Sequence, residues 1–177
     1  MLTIRPARRE DAPLLLELVR ELATYEREPG AVVATESDYL RHGFGDAPRF
    51  EAHIAEWSGA PVGFSLHFFN FSTWTGRPGL YLEDLYVRPS HRGRGIGKAL
   101  LVHLARIAIE RGCARFQWQV LDWNRPAIEF YEGLGARATG QWLPFRIEGK
   151  ALERLAREAG SLSRSAGRAC GSDPKRG

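Results

Sequence analysis

The chain has 177 residues, of which 44% are hydrophobic and 26% are charged, and its formal net charge is +4. These values are typical of a single globular domain that is long enough to bury a sizeable core. They argue against a membrane protein, because no apolar run approaches the ~18 residues of a membrane span. The start of the chain has no apolar signal core, and Cys113 and Cys170 are too few for a disulfide framework, so a cytoplasmic location is expected.

The positive charge is concentrated at the C-terminus. Residues 161–177 carry a net charge of +3, which leaves about +1 for the rest of the chain. A nucleic-acid-binding domain carries its basic residues on a folded face. The charge distribution therefore favours neither a nucleic-acid partner nor a membrane partner.

Two helices and three strands are predicted before residue 80. The alternation of Leu2–Arg5 predicts a first strand, and apolar residues at helical spacing after Asp11 predict a first helix. Thr35 and Asp38 form a capping box that opens a short second helix. The other predicted elements of this part are strands at about 50–57 and 61–69 and a loop at 70–79.

Residues 80–112 contain the most informative pattern of the chain. A strand over 80–87, rich in aromatic and branched residues, is ended by Pro89. A glycine-rich turn follows at 92–97, and then a helix with one apolar face that stops at Gly112. The unpaired N–H groups at the start of such a helix, together with its dipole, predict a site for a phosphate.

The turn does not fit the two best-known phosphate-binding motifs. A Walker A loop would need glycine at Arg92 and serine or threonine at Ala99. A dinucleotide-binding fingerprint would place its third glycine at Lys98. The turn does match Arg-x-x-Gly-x-Gly, with Arg92, Gly95 and Gly97. Taken alone, these few residues are also compatible with a plain connection that binds nothing.

The rest of the chain predicts a strand at 116–121, a helix from about Pro126 to Gly133–Gly135, a last strand at 141–147 and a terminal helix at 149–158. From Gly160 onward the composition predicts disorder. This order of strands and helices indicates an α/β or α+β fold with a mixed sheet. We therefore expect one domain over residues 1–159 and a disordered basic tail over 160–177.

Several stretches resemble the GNAT acyltransferases, and in particular their spermidine/spermine (diamine) acetyltransferase branch. They are RELATYE at 20–26, LYLEDLYV and RGRGIGKALL within 80–101, and VLDWNRPAIEFYEGLGA at 120–136. The resemblance covers about residues 3–156. It implies an α/β (α+β) GNAT fold, in which a mixed seven-stranded sheet is splayed between strands 4 and 5 and flanked by helices. It also implies acetyl-CoA as cosubstrate, a small-molecule amine as acceptor and a homodimer.

The resemblance implies that three segments of the chain bind acetyl-CoA. The turn and helix start would hold the pyrophosphate, while the preceding strand would pair with the pantetheine arm. The start of the helix after residue 124 would supply the remaining contacts. The implied cofactor-binding residues are Leu85, Tyr86, Val87, Arg92, Gly93, Arg94, Gly95, Ile96, Gly97, Lys98, Asn124, Arg125, Pro126, Ala127 and Tyr131.

The resemblance assigns two catalytic roles. Tyr131 matches the general acid that protonates the leaving thiolate, since a phenol with a reference pKa near 10 keeps its proton at neutral pH. Glu83 matches the base that takes the proton of the amine through a water molecule. Read without the resemblance, Tyr131 is a packing residue of an amphipathic helix and Glu83 a surface carboxylate. Strand alternation predicts that Glu83 and Asp84 face opposite sides of the sheet.

The expected substrate-binding residues are Tyr25, Glu26, Trp74 and Glu83, because a cationic amine favours carboxylates and aromatic faces. Tyr25 and Glu26 are also compatible with an ordinary exposed helix end. The acidic residue that the family has shortly before Trp142 is missing, and Arg137 lies nearby. A diamine, a polyamine or a smaller thialysine-like amine therefore remain alternatives.

Two other functions stay open at this point. The chain could acetylate a protein or peptide, or it could be a non-catalytic regulator that binds acetyl-CoA. The five histidines show no ligand spacing, and neither cysteine is paired with them, so no metal is expected.

Overall fold

The structure is a computed structural model that describes residues 1–140 and 143–166, with side chains described through residue 157. The chain divides into two compact units, Met1–Asn124 and the part from Arg125 onward. The strands are β1 (Leu2–Pro6), β2 (Glu51–Trp57), β3 (Ala60–Ser72), β4 (Arg77–Val87) and β5 (Arg115–Gln117). The helices are α1 (Ala12–Tyr25), α2 (Glu36–Phe44), α3 (Ile96–Glu110), α4 (Arg125–Glu132) and α5 (Gly149–Ala166).

One mixed sheet organises the first unit. Its strands lie in the order β1-β2-β3-β4-β5, and all neighbours are antiparallel except β4 and β5, which are parallel. The parallel pairing is short, from Gly79–Arg115 to Tyr81–Gln117. Beyond Tyr81, β4 runs to Val87 without a paired strand on that side among the described residues. The α/β class with a mixed sheet and flanking helices is confirmed, whereas the described residues form five strands and not the predicted seven.

Each face of the sheet is covered by different helices. Helices α1 and α2 pack against a core that includes Phe64, Leu66 and Tyr86. Helix α3 packs on the opposite face through Ile96 and Leu100, which contact Leu85 among others. Strands β2, β3 and β4 therefore direct side chains into both cores, as a sheet covered on both faces requires.

A β-bulge interrupts this alternation in β4. Leu82 is opposite His67 and Asp84 is opposite Leu66, so Glu83 is the extra residue. Leu82 is paired with His67, which clusters with His103 of α3, and Leu85 also packs toward α3. Glu83 and Asp84, between them, therefore lie together on the α1/α2 side, where Leu66 also lies. The expectation that these two acidic residues face opposite sides is therefore wrong, since simple alternation does not hold across a bulge.

Several predicted boundaries differ from the structure. The predicted loop at 70–79 is mostly the tip of a hairpin, because β3 extends to Ser72 and β4 begins at Arg77. The fifth strand is shorter than predicted, and residues 143–147 form no strand, while Gln141 and Trp142 lie outside the described residues. Helix α5 continues to Ala166, into the segment predicted to be disordered, and residues 167–177 lie outside the described part. The division into a domain and a tail stays a prediction.

None of the helices in the described part of the chain has the length and apolar character that a membrane crossing requires.

Three histidines that are distant in sequence form a cluster between the sheet and α3. The ring of His53 stacks on His67 with centroids 5.6 Å apart, and it meets the edge of His103 at 4.4 Å. His53 and His67 are buried, and within the described protein the Nδ1 atoms of both have no hydrogen-bond partner. Burial and, secondly, the charges of His103 and His67 lower the pKa of His53 to about 4.

This cluster predicts that the protein loses stability in mild acid. Histidine in the unfolded chain has a pKa near 6.5, whereas that of folded His53 is lowered to about 4. The contribution of His53 to the free energy of unfolding is therefore complete above pH 6.5 and decreases as the pH falls toward 4. For His53 alone the loss amounts to about 2 kcal/mol by pH 5. We expect the melting temperature to fall steeply between pH 6.5 and 4.5, and less steeply in His53→Gln. Exposed His42→Gln serves as the control, and an unchanged slope in His53→Gln would contradict the assignment.

Candidate functional site

The turn between β4 and α3 has the geometry of an anion-binding loop. Gly93 and Gly95 adopt positive φ angles of 75° and 77°, which place them in the left-handed region that favours glycine. The first α3 hydrogen bond runs from the Ala99 amide to the Gly95 carbonyl, so the amides of residues 96–98 have no acceptor within the helix. No atom outside the adjoining residues lies within 4 Å of a Cβ built on Gly93 or Gly95, so the loop leaves room for a ligand. These residues fit a pyrophosphate.

The strand before this turn leaves part of its backbone available. Leu85, Tyr86 and Val87 lie beyond the residues that pair with β5. The side chains of Leu85 and Val87 pack toward α3, and Tyr86 is buried toward α1. With its side chains held from both faces, this stretch of β4 presents a fixed edge that could pair with an extended ligand.

The two arginines of the turn stack on aromatic rings. Arg92 Nε donates a hydrogen bond of 2.9 Å to the Val87 carbonyl, and its guanidinium lies 4.3 Å from the centre of the Tyr25 ring. Arg94 lies 5.4 Å from the ring of Trp57. Lys98 is exposed in the first turn of α3. The loop is therefore surrounded by positive charge, although the Nε atom of Arg92 already donates its hydrogen bond to the Val87 carbonyl.

Three carboxylates come together on the α1/α2 side of β4. The bulge puts Glu83 and Asp84 on that face, and Glu26 follows the end of α1. Burial first, and then the negative charges of Glu83 and Glu26, raise the pKa of Asp84 to about 7. Burial also raises the pKa of Glu26. A cluster of partly desolvated acidic groups of this kind stabilises a bound cation.

Sequence reasoning missed Asp84, although a signal was present. The apolar positions of β4 change phase, from Leu80 and Leu82 to Leu85 and Val87. Such a change of phase within one strand indicates an inserted residue, and it occurs at the two adjacent acids. Reading it would have predicted both carboxylates on one face.

The predicted substrate residue Tyr25 is tied to the predicted cofactor residue Asn124. The Tyr25 hydroxyl donates to Asn124 Oδ1 at 3.1 Å, and Asn124 is buried. Trp123 packs against the Tyr25 ring at 6.3 Å. Sequence reasoning had no signal for this contact, because its partners are 99 residues apart.

The remaining predicted residues of the cofactor and acid sites lie in the second unit. Arg125 and Pro126 are exposed in the first turn of α4, with Ala127 half-buried beside them. Tyr131 is half-buried near the end of the same helix, and its ring lies 5.3 Å from that of Phe130. Their roles stay predictions.

Trp74 is not near the carboxylates within the first unit. It lies in the turn between β3 and β4 and is 87% exposed. Glu83 is further along β4, roughly 20 Å away at the rise of an extended strand. In the described residues, no group of three or more His, Cys, Asp or Glu side chains is arranged to hold a metal ion.

This fold defines a class of α/β proteins in which a glycine-rich turn at a helix N-terminus, suited to a phosphate, lies in the same unit as a group of carboxylates. Residues 15–136 match the model of the acetyltransferase (GNAT) family, and the chain belongs to this family. Members of the family are acetyltransferases that use acetyl-CoA as cosubstrate. The expectation of an acetyltransferase and the expectation of acetyl-CoA as its cosubstrate are therefore confirmed.

Known proteins are similar over most of the chain. A thialysine N-epsilon-acetyltransferase of Sus scrofa is 42% identical over 164 residues, which are 86% of this chain and 96% of that protein. A spermidine/spermine N(1)-acetyltransferase-like protein 1 of Homo sapiens is 38% identical, covering 88% of this chain and 24% of that protein. The solved structure of an integron cassette protein from the mobile metagenome of V. cholerae is 31% identical with a TM-score of 0.75, covering 88% and 97%. The predicted branch of the family is therefore confirmed.

Proposed function

We propose that this acetyltransferase transfers the acetyl group of acetyl-CoA to a primary amine of a small cationic substrate, such as a diamine, a polyamine or a thialysine-like amine. The observation that carries the proposal is the carboxylate cluster of Glu26, Glu83 and Asp84. Burial first, and then repulsion from Glu83 and Glu26, raises the pKa of Asp84, and a cation that enters the cluster relieves this repulsion. The names of the similar enzymes, which refer to thialysine and to spermidine/spermine, support the same substrate class.

The two carboxylates of the bulge would divide the work on the amine. An alkylammonium has a pKa near 10.4, so it must lose a proton before its nitrogen can attack. Half-buried Asp84 would hold the charged group in place. Exposed Glu83 would accept the proton through a water molecule, because an exposed carboxylate can pass it on to solvent.

The other residues would serve the acetyl donor. Acetyl-CoA supplies the activated acetyl group as a thioester. The amides of Ile96, Gly97 and Lys98 would hold its pyrophosphate, and the free edge of β4 would align its extended arm. As the C–N bond forms and the C–S bond breaks, the Tyr131 hydroxyl would donate a proton to the sulfur.

The phosphate site can be tested with a matched pair of substitutions at Gly95. Aspartate and asparagine both tolerate a left-handed backbone, and both fit the open space around Gly95. They differ only in charge, so Gly95→Asp should weaken acetyl-CoA binding at least about tenfold more than Gly95→Asn, through repulsion of the phosphates. Calorimetry measures both affinities. Equal affinities of the two variants would show that no phosphate lies at this turn.

The substrate class can be tested with a thiol-release assay on a panel of amines. The panel contains thialysine, lysine, putrescine, spermidine and peptides with a free N-terminus or a lysine. We expect turnover with at least one small amine and little turnover with peptides. Peptide turnover alone would favour a protein acetyltransferase, and acetyl-CoA binding without any turnover would favour a regulator.

The homodimer and the cytoplasmic location remain predictions. The first rests on the resemblance and is tested by light scattering during size-exclusion chromatography. The second rests on composition and is tested by cell fractionation.

A further inference from the structure

Two arginines and three aromatic rings form a continuous series of contacts, which we call the cation–aromatic ladder. Arg27 lies 4.4 Å from the centre of the Trp123 ring, and Trp123 packs on Tyr25 at 6.3 Å. Arg92 lies 4.3 Å from the centre of the Tyr25 ring and 5.7 Å from the centre of the Tyr86 ring. The ladder therefore joins α1, the end of β4, the phosphate turn and the segment before residue 125.

Hydrogen bonds fix two positions of the ladder. Arg92 Nε donates to the Val87 carbonyl at the end of β4. The Tyr25 hydroxyl donates to Asn124 Oδ1, and Asn124 is only 8% exposed. Tyr25 is thus held at its ring by Arg92 and at its hydroxyl by a buried amide. The contacts of Arg92 tie the end of α1 to the end of β4, and the Asn124 bond ties it to the segment before residue 125.

The backbone conformation of Arg27 indicates that the ladder holds the residues after the end of α1 in a fixed position. Arg27 follows the end of α1 with a φ of 68°, where glycine is the usual residue. An arginine at such a position is strained, and its guanidinium lies over Trp123. This strained backbone conformation lies at the Arg27 end of the ladder, directly after Glu26 of the carboxylate cluster.

We propose that Arg92 is a positioning residue that holds Tyr25, and with it Glu26, in place for the amine, and not a ligand of the cofactor phosphates. This inference rests on the proposed function. Arg92 is in the phosphate motif by sequence, but its Nε and its planar face are both occupied within the protein. Its position at the start of the turn would couple the cofactor turn to the amine site through one side chain.

The two roles of Arg92 can be separated with an acetyl donor that has no phosphates. Arg92→Lys keeps the positive charge but loses the planar stacking and the Nε bond. Assays use acetyl-CoA and acetyl-pantetheine, with thialysine as the amine. We expect KM for thialysine to rise about tenfold with both donors, while kcat and the KM of acetyl-CoA change less than threefold. A defect that appears only with acetyl-CoA, in the KM of the donor, would make Arg92 a phosphate ligand and overturn the proposal.

Substitutions at Tyr25 test whether Arg92 acts through that ring. Tyr25→Leu removes the ring and should raise KM for thialysine as Arg92→Lys does. Tyr25→Phe keeps the ring and loses only the bond to Asn124, so it should raise KM less. The double variant Arg92→Lys/Tyr25→Leu should be no worse than either single variant, because both break one contact. Multiplying defects would contradict the coupling. Arg111→Lys is the matched control, since Arg111 stacks on Phe69 at 5.3 Å on a different part of the sheet.

An error in the proposed function can be distinguished from an error in the role of Arg92. If the wild type binds CoA but acetylates no amine, the function is wrong and the role of Arg92 is decided by calorimetry with CoA. Under the proposal, Arg92→Lys changes the affinity for CoA less than threefold. A loss above tenfold would again identify Arg92 as a phosphate ligand.

Discussion

Tyr131→Phe is expected to lower kcat by roughly 10²–10⁴, the usual worth of a general acid. The substitution removes one hydroxyl and keeps the ring, so the packing of α4 should remain. The apparent KM for acetyl-CoA should change little, because the hydroxyl acts only when the sulfur becomes basic during C–S cleavage. Steady-state kinetics with the best amine of the panel measures both constants.

A neighbouring residue provides the control for Tyr131. Phe130 precedes it in α4, with its ring 5.3 Å away, and it has no assigned role in the reaction. Phe130→Leu perturbs the same helix turn and should retain most of kcat. Wild-type turnover in Tyr131→Phe would mean that Tyr131 only packs. A comparable loss in Phe130→Leu would mean that the helix, and not the hydroxyl, is responsible.

Glu83→Gln and Asp84→Asn are expected to impair the reaction in different ways. At pH 7 fewer than about one alkylamine in a thousand is neutral, so losing the base should lower kcat by roughly 10²–10⁴ in Glu83→Gln. Raising the pH supplies neutral amine, and this variant should therefore recover relative to the wild type. Asp84→Asn should chiefly raise the KM for the amine, because it removes a carboxylate that holds the cation.

The pH profile of kcat/KM for the amine distinguishes the two carboxylates. Asp84 has a pKa of about 7, so in the free enzyme it becomes negatively charged as the pH rises through 7. The wild-type profile should rise through this pH, and Asp84→Asn should lose that rise. In Glu83→Gln the rise should move to lower pH, since the charge of Glu83 helps to raise the pKa of Asp84. A deficit of Glu83→Gln that is equal at every pH and for amines of different pKa would exclude Glu83 as the base.

As the pH rises through 7, ionisation of Asp84 should lower the stability of the fold while it raises the activity toward the amine. The folded pKa of Asp84 is raised above its unfolded value of 3.8, so the folded state binds the proton more tightly. Its contribution to stability is greatest in acid and decreases as the pH rises from about 4 to 7. Asp84→Asn should therefore melt at a higher temperature than the wild type at pH 8, with a difference that shrinks toward pH 4. A variant that is less stable at pH 8 would contradict the raised pKa.

The glycine-rich turn and the cap of α2 could be predicted because their signals are local. The glycines of the turn and the capping box of Thr35 and Asp38 each act within a few residues, and the structure shows the same turn and the same cap. The order of strands and helices before residue 117 was equally accessible. The predicted base and a predicted substrate residue, Glu83 and Glu26, are brought close enough to Asp84 to raise its pKa.

The features that sequence reasoning missed depend on pairing between distant residues. The bulge is defined by the register of β4 against β3, which simple alternation does not include. The contact of Tyr25 with Asn124 and the stacking of His53 on His67 exist only once the sheet and helices are assembled. The separation of Trp74 from the carboxylates was also not predictable, because a sequence does not show how far the turn of a hairpin lies from the middle of its strand.

The bulge also bears on how such a site could arise by mutation. If the codon for Glu83 were deleted, Asp84 would follow Leu82 directly and would still pair with Leu66, as it does now. Every other residue of β4 would keep its partner, and the alternation of the strand would become regular. A single in-frame insertion can therefore add a second carboxylate to a finished site without disturbing its framework. In this chain, a change in length of one residue at this position would change the number of carboxylates on the α1/α2 face while leaving the pairing of β3 with β4 intact.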